Sequence, residues 1–164
     1  MTKLDATLTP LTASEARNPL LKLWRLGVQA LNLLQPLCLL AARLYMARVF
    51  FLSGLTKIRD WETTLLLFGD DYQVPLLPPA VAAVMGTAGE LVLPVLLVLG
   101  LFGRFGALGL SVVNVVAVLS LPDIPEPAFM LHVFWGSLLL LIAVFGPGRF
   151  SLDAGVLQRW LRTY

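Results

Sequence analysis

Cysteine and histidine are almost absent from this sequence, which contains one of each, Cys38 and His132. A single cysteine excludes an internal disulfide and a Cys-x-x-Cys motif. A single histidine excludes a bis-histidine haem and a histidine-cluster metal site within one chain. Because the carboxylates are not clustered either, we expect no metal, haem or other intrinsic cofactor.

Charge is also scarce. Of the 164 residues, 13% are charged and 58% are hydrophobic, and the mean hydropathy is +0.83. Soluble domains are about 25% charged and about 45–50% apolar, so this composition indicates a protein whose solvent is lipid. The net charge of +2 is too small to predict a nucleic-acid partner. We expect no soluble catalytic domain, and we expect residues 1–18 to be a loosely attached polar tail rather than a cleavable signal peptide.

Four apolar segments are each long enough to cross a bilayer, which takes about 20 residues of helix. They predict an all-α fold, a four-helix transmembrane bundle in contact with the lipid bilayer. The loop after the first segment is the longest, and its residues 60–68 predict a short surface helix capped by Asp60. The predicted spans are 36–57, 79–101, 104–121 and 128–146.

Basic amphipathic stretches flank the spans. Residues 20–34 place leucines and Trp24 on one helical face, and residues 152–163 do the same with Trp160. Such helices lie at the membrane interface, and we expect Pro36 to bend the chain between the first of them and the first span. The predicted organisation is a polar tail with an amphipathic helix, a four-span membrane domain and a C-terminal interfacial helix: 1–35, 36–150 and 151–164.

The distribution of lysine and arginine predicts the orientation. The two terminal segments and the short second loop hold eight of these residues, whereas the first loop holds Arg59 with Lys57 at its edge and the third loop holds none. Cytoplasmic segments of membrane proteins are enriched in Lys and Arg. We therefore expect both termini to be cytoplasmic.

Ionisable residues inside the apolar segments are the main functional signal. Arg43 and Arg48 lie near the middle of the first segment, and Glu90 lies at the centre of the second. An ionised group in hydrocarbon costs several kcal/mol, so it is retained where it is paired, hydrated or used. The candidate intramembrane polar site has six members: Arg43, Arg48, Lys57, Glu90, Asn114 and His132.

The helical geometry of the first span limits the pairing of these charges. Arg43, Gly54 and Lys57 share one face, and Arg48 lies about 140° away from Arg43. Because guanidinium binds carboxylate bidentately, we predict that Glu90 pairs with Arg43 or Arg48. Two interpretations stay open for the pair: it fixes the helix register, or it forms a proton, ion or headgroup site.

Asn114 and His132 have simpler interpretations. Asn114 lies in the third span, where an amide most often forms hydrogen bonds between helices. His132 lies near the outer end of the fourth span, next to Trp135, which favours a hydrogen-bonded interfacial histidine over a ligand-binding one.

The order and spacing of these residues resemble the DoxX family of small bacterial membrane proteins. The resemblance rests on Arg43 followed by Gly54-x-x-Lys57, on Glu90 ten residues before Gly100, and on the run Gly-Pro-Gly-Arg-Phe-Ser-Leu-Asp at 146–153. It covers about residues 36–155. It implies a four-helix membrane bundle in a bacterial cytoplasmic membrane.

The family is named for its similarity to a subunit of a quinone-linked oxidoreductase, and some members are associated with redox or metal-stress functions. The resemblance therefore implies an accessory or anchoring subunit of a redox or stress pathway, with a protein partner or a second copy of the chain. A quinone-interacting oxidoreductase subunit and a small anion or proton carrier are the alternatives. A carrier predicts a continuous polar cavity, a quinone site predicts a lateral opening to lipid, and a scaffold predicts charges closed off in pairs.

Overall fold

The structure, a computed structural model, describes residues 19–156, and within that range it contains helices and no strand. Four of the helices are long and apolar enough to cross a membrane: α1, α3, α4 and α5. The prediction of an all-α protein with four membrane spans is therefore confirmed. The helices are α1 (Pro19–Arg59), α2 (Trp61–Asp70), α3 (Pro79–Leu99), α4 (Gly103–Ser120) and α5 (Glu126–Phe145).

The first helix is longer than predicted. α1 continues through Pro36 without a break, so residues 20–34 do not form the separate helix that we expected. A proline removes one backbone hydrogen bond, but leucines and alanines on both sides favour helix and carry it across that gap. Contacts divide the chain after Leu37, and the description below concerns the unit that begins at Cys38.

The short surface helix is present as α2. The Asp60 side chain caps it by accepting a hydrogen bond from the Thr63 backbone N–H at 3.0 Å, as the sequence predicted. The Thr63 hydroxyl donates to the same carboxylate at 2.7 Å, and this hydrogen bond together with that from the backbone N–H lowers the pKa of the exposed Asp60 carboxyl. At the other end of the chain, residues 152–156 are helical, and the rest of the predicted C-terminal helix lies outside the described residues.

The core of the bundle is apolar, and glycines bring its helices close together. A Cβ atom on Gly109 would lie 2.8 Å from the Leu93 side chain, so α3 and α4 pack closely there. Large apolar side chains such as Val112 on α4 and Val144 on α5 are exposed, as expected of surfaces that face lipid. The buried core residues are Met46, Phe50, Leu97, Ala107, Leu110, Leu139 and Ile142.

Candidate functional site

A close approach of α1 to α3 builds the centre of the candidate site. A Cβ atom on Gly54 would lie 3.1 Å from the Glu90 Cβ and 2.9 Å from the Leu91 side chain. Only glycine fits there without displacing α3. Lys57 lies one turn beyond Gly54 on the same face of α1, so this contact brings its side chain to Glu90.

Lys57 and Glu90 form an ion pair. The Lys57 Nζ lies 2.7 Å from Oε2 and 2.9 Å from Oε1 of Glu90. Ser53 joins the pair, because its hydroxyl accepts from Lys57 at 3.0 Å and donates to Glu90 at 3.2 Å. The prediction that Glu90 pairs with Arg43 or Arg48 is wrong, since Lys57 reaches deeper than its position near the end of α1 suggested.

Arg43 is fully buried and binds backbone instead of a carboxylate. Its guanidinium donates at 2.5–2.8 Å to four carbonyl oxygens, two at the end of α3 and two in the segment after α5. Four of the five guanidinium N–H groups are thereby used. We call this arrangement the Arg43 clamp; its acceptors are the carbonyl oxygens of Leu97, Val98, Pro147 and Phe150.

A second interaction stabilises the same end of the bundle. The Asp153 carboxylate accepts from the backbone N–H groups of Phe102 and Gly103, each at 2.9 Å. These are unpaired donors at the start of α4, where negative charge is favourable. Gly100 precedes them with φ +64°, and a Cβ atom there would lie 2.6 Å from the Arg43 guanidinium. This end of the molecule is closely packed.

Asn114 and His132 form a two-way hydrogen bond between α4 and α5. The Asn114 amide N–H donates to the His132 carbonyl at 2.9 Å, which places the amide oxygen opposite the His132 Nδ1 at 2.8 Å. An amide oxygen only accepts, so Nδ1 carries the proton, and Nε2 is the acceptor in the neutral ring. The predicted interhelical role of Asn114 is confirmed.

A cavity of about 500 Å³ opens beside the ion pair, at the end of the bundle where α2 lies. We call it the Glu90 cavity. Most of its walls are apolar, with α1, α3, α4 and α5 all contributing side chains. Its polar lining residues are Ser53, Lys57, Tyr72, Glu90, Ser120, His132 and Trp135.

Two lining groups of the Glu90 cavity are available to a ligand. Neither the Tyr72 hydroxyl nor the His132 Nε2 has a hydrogen-bond partner among residues 19–156. Burial raises the pKa of the Tyr72 phenol, and the nearby charges of Glu90 and Asp71 raise it further. Tyr72 is therefore a neutral hydrogen-bond donor at physiological pH, and His132 supplies an acceptor.

Two residues that line the cavity are also exposed on the outside of the bundle. Met85 on α3 and Val112 on α4 both line it, and both are more than half exposed. These residues lie within spanning helices, at a depth where lipid is the neighbour.

The structure does not bring the six predicted site residues together in one site. Lys57, Glu90 and His132 line the cavity, and Asn114 orients His132. Arg43 lies in its clamp at the other end, and Arg48 is exposed. Sequence reasoning missed Tyr72, which lies in the loop after α2, where a single aromatic residue gives no periodic signal.

Metal binding has little support in this part of the chain. Among residues 19–156, no three His, Cys, Asp or Glu side chains lie close enough together to hold an ion. The Glu90 cavity instead offers one free hydrogen-bond donor, at Tyr72, and one free acceptor, at His132.

The fold defines the class: this is a multi-pass membrane protein with four apolar spanning helices. A family model described as DoxX matches residues 38–123. The chain belongs to the DoxX family, and the matched range includes Arg43, Lys57, Glu90 and Asn114. No curated protein and no solved structure matches it.

Proposed function

We propose that this DoxX-family protein is an accessory membrane subunit of a redox pathway and that it binds a quinone in the Glu90 cavity. The observation that carries the proposal is the cavity itself, with mostly apolar walls, a free donor at Tyr72 and a free acceptor at His132. A quinone carbonyl accepts from a phenol, and a quinol hydroxyl donates to a neutral imidazole. The same two residues therefore suit both redox forms.

The geometry favours this function over the alternatives. A carrier needs a continuous polar path, but the cavity walls are mainly apolar and the Arg43 clamp fills the opposite end of the bundle. A purely structural subunit needs its buried charges to be fully paired. The Arg43 clamp meets this requirement, but a structural role does not account for the Glu90 cavity. The exposed lining residues Met85 and Val112 support entry from the lipid, which is the route that a lipid-soluble ligand requires.

The proposed setting is a bacterial cytoplasmic membrane, with both termini cytoplasmic and the Glu90 cavity in the outer leaflet. This placement rests on the distribution of Lys and Arg along the chain. In this proposal electrons pass through the bound quinone to the cofactor of a partner protein.

Equilibrium binding of decylubiquinone to the purified full chain in detergent tests the proposal. Ala117→Trp fills the cavity from α4 and should abolish saturable binding, because Ala117 lines it. Val115→Trp is the matched control, since Val115 lies on the same helix, is exposed and does not line the cavity. Equal binding by the two variants would refute the proposed site.

A further inference from the structure

Arg48 differs from Arg43 and Lys57, the other two candidate site residues of α1, because its side chain is exposed. It has no hydrogen bond and no ion pair with any residue in the range 19–156. Arg43, five positions earlier on α1, is buried and uses four donors on backbone carbonyls. A guanidinium at membrane depth needs a polar partner, and Arg48 does not find one in the described chain.

A groove of about 330 Å³ lies beside Arg48, on the outside of the bundle between α1 and α3. Apart from Arg48 its lining is apolar, and much of it is exposed, including Leu44 and Val95. Hydrocarbon is the natural neighbour of such a surface in a bilayer. We call it the Arg48 groove; its lining residues are Leu44, Ala47, Arg48, Phe51, Pro94, Val95, Val98 and Leu99.

Arg48 lies partway along the groove, between Leu44 and Phe51 on α1. A long helical side chain leans toward the N-terminus of its helix, and arginine extends toward the membrane interface. The guanidinium of Arg48 therefore extends toward the end of the bundle where α3 finishes at Leu99. The groove is apolar on both sides of Arg48: Leu44, Val98 and Leu99 line it toward the end of α3, and Phe51 and Pro94 line it in the opposite direction.

A second copy of this chain has no suitable partner for Arg48. Among the described residues of the four spanning helices, the carboxylates are Glu90 and Glu126. Glu90 is paired with Lys57, and Glu126 is the first residue of α5, at the opposite end of the bundle. Asp153 lies at the right end, but it caps α4.

We propose that the Arg48 groove binds an anionic phospholipid of the adjacent leaflet, with the lipid phosphate on Arg48 and one acyl chain along the apolar wall. Arginine is suited to this partner because its planar guanidinium donates two parallel hydrogen bonds to a phosphate. The lipid phosphate supplies a counter-ion for Arg48, which pairs with no carboxylate among residues 19–156. The site is separate from the Glu90 cavity and does not depend on the function proposed for it.

Lipid retention by the full chain tests this site. The protein is equilibrated in detergent with phosphatidylglycerol or with phosphatidylcholine of the same acyl chains, and bound lipid is counted by native mass spectrometry. Wild type should retain phosphatidylglycerol selectively, and Arg48→Leu should reduce its apparent affinity about tenfold, the effect of one lost charge-assisted contact. Arg149→Gln is the matched control, because it removes an exposed arginine at the same end but outside the groove.

A second variant tests the acyl-chain contact. Val95→Trp fills the groove and keeps Arg48, so it should also reduce phosphatidylglycerol retention, with the fold checked by thermal melting. Equal retention of the two lipids by wild type, or equal losses in Arg48→Leu and Arg149→Gln, would overturn the proposal. So would displacement of the lipid by glycerol 3-phosphate alone, or an Arg48-dependent dimer that excludes lipid.

Discussion

The two ends of the bundle hold their buried charges in different ways. At one end Arg43 is fully buried, and four backbone carbonyls occupy its donors. At the other end Lys57 and Glu90 pair in the wall of a cavity of about 500 Å³, beside two polar groups that have no partner in residues 19–156. A charge within a span is therefore not by itself a ligand site. The space and the free hydrogen-bonding groups beside it make the difference.

Removal of Arg43 should have the largest effect on stability. Arg43→Leu removes the donor of four carbonyl oxygens, of which that of Leu97 keeps a second donor, the Gly100 N–H, and a buried unsatisfied group costs about 1–3 kcal/mol. We expect a loss of at least about 3 kcal/mol in the free energy of unfolding, measured by denaturant titration in detergent micelles. Arg48→Leu is the matched control on the same helix and should change it by less than about 0.5 kcal/mol. Equal losses would mean that the clamp is not what stabilises this end.

Glu90→Gln should have a smaller effect. It leaves the Lys57 ammonium without its counter-ion, but that side chain is 20% exposed and can recruit water. We expect a loss of about 2 kcal/mol by the same titration, less than the usual cost of breaking a fully buried pair. The double variant Lys57→Met/Glu90→Gln should recover part of this loss. If Glu90→Gln unfolds like wild type, the pair does not contribute to stability.

Loss of the α4 cap should rank third. Asp153→Ala removes the carboxylate that accepts from the N–H groups of Phe102 and Gly103, and a helix cap is worth about 1 kcal/mol. Hydrogen exchange should show faster exchange at these two amides and little change in α5. Faster exchange throughout the bundle would instead show that Asp153 supports the whole fold.

Tyr72→Phe should have the smallest effect at neutral pH and a distinct one at alkaline pH. The pKa of Tyr72 is raised above the ordinary value of 10.0 in the folded protein, so the phenol adds stability below pH 10 that is lost as pH rises through the folded pKa. Wild type should therefore lose stability over that interval, and the variant should lose less. A phenolate absorbance titration should also lose its highest transition in Tyr72→Phe. Identical titration curves would contradict the burial of this phenol.

Hydropathy alone predicts the four spans, because each must be about 20 apolar residues long to cross the bilayer. It does not predict how far one helix is shifted along its neighbour. Lys57 is two residues from the end of α1, and Glu90 is in the middle of α3. Residue counts along each span therefore place the two side chains at different depths in the membrane, although the structure shows them in contact. The signal that could have joined them was Gly54, which shares a face with Lys57 and marks the close approach to α3.

The Arg43 clamp is harder to predict from sequence, because every residue has a carbonyl oxygen and none is distinctive as an acceptor. Its acceptors come from segments 54 to 107 positions away in the chain. Gly146 and Gly148 gave a partial signal, since both adopt positive φ in the segment that turns back toward Arg43. The sequence also did not predict which of the two arginines is exposed. Their angular separation of about 140° on the helix predicted only that Arg43 and Arg48 face different surroundings.

Photolabelling with a benzoquinone that carries a short azido-substituted tail most directly tests whether a quinone binds in the Glu90 cavity and not at the end that holds the Arg43 clamp. After irradiation of the protein in lipid nanodiscs, peptide mass spectrometry locates the adducts. We predict saturable labelling of peptides that contain Tyr72, Met85 or Trp135, and competition by decylubiquinone. Labelling that is concentrated around Arg43, or spread evenly over the lipid-facing surface without competition, would contradict it.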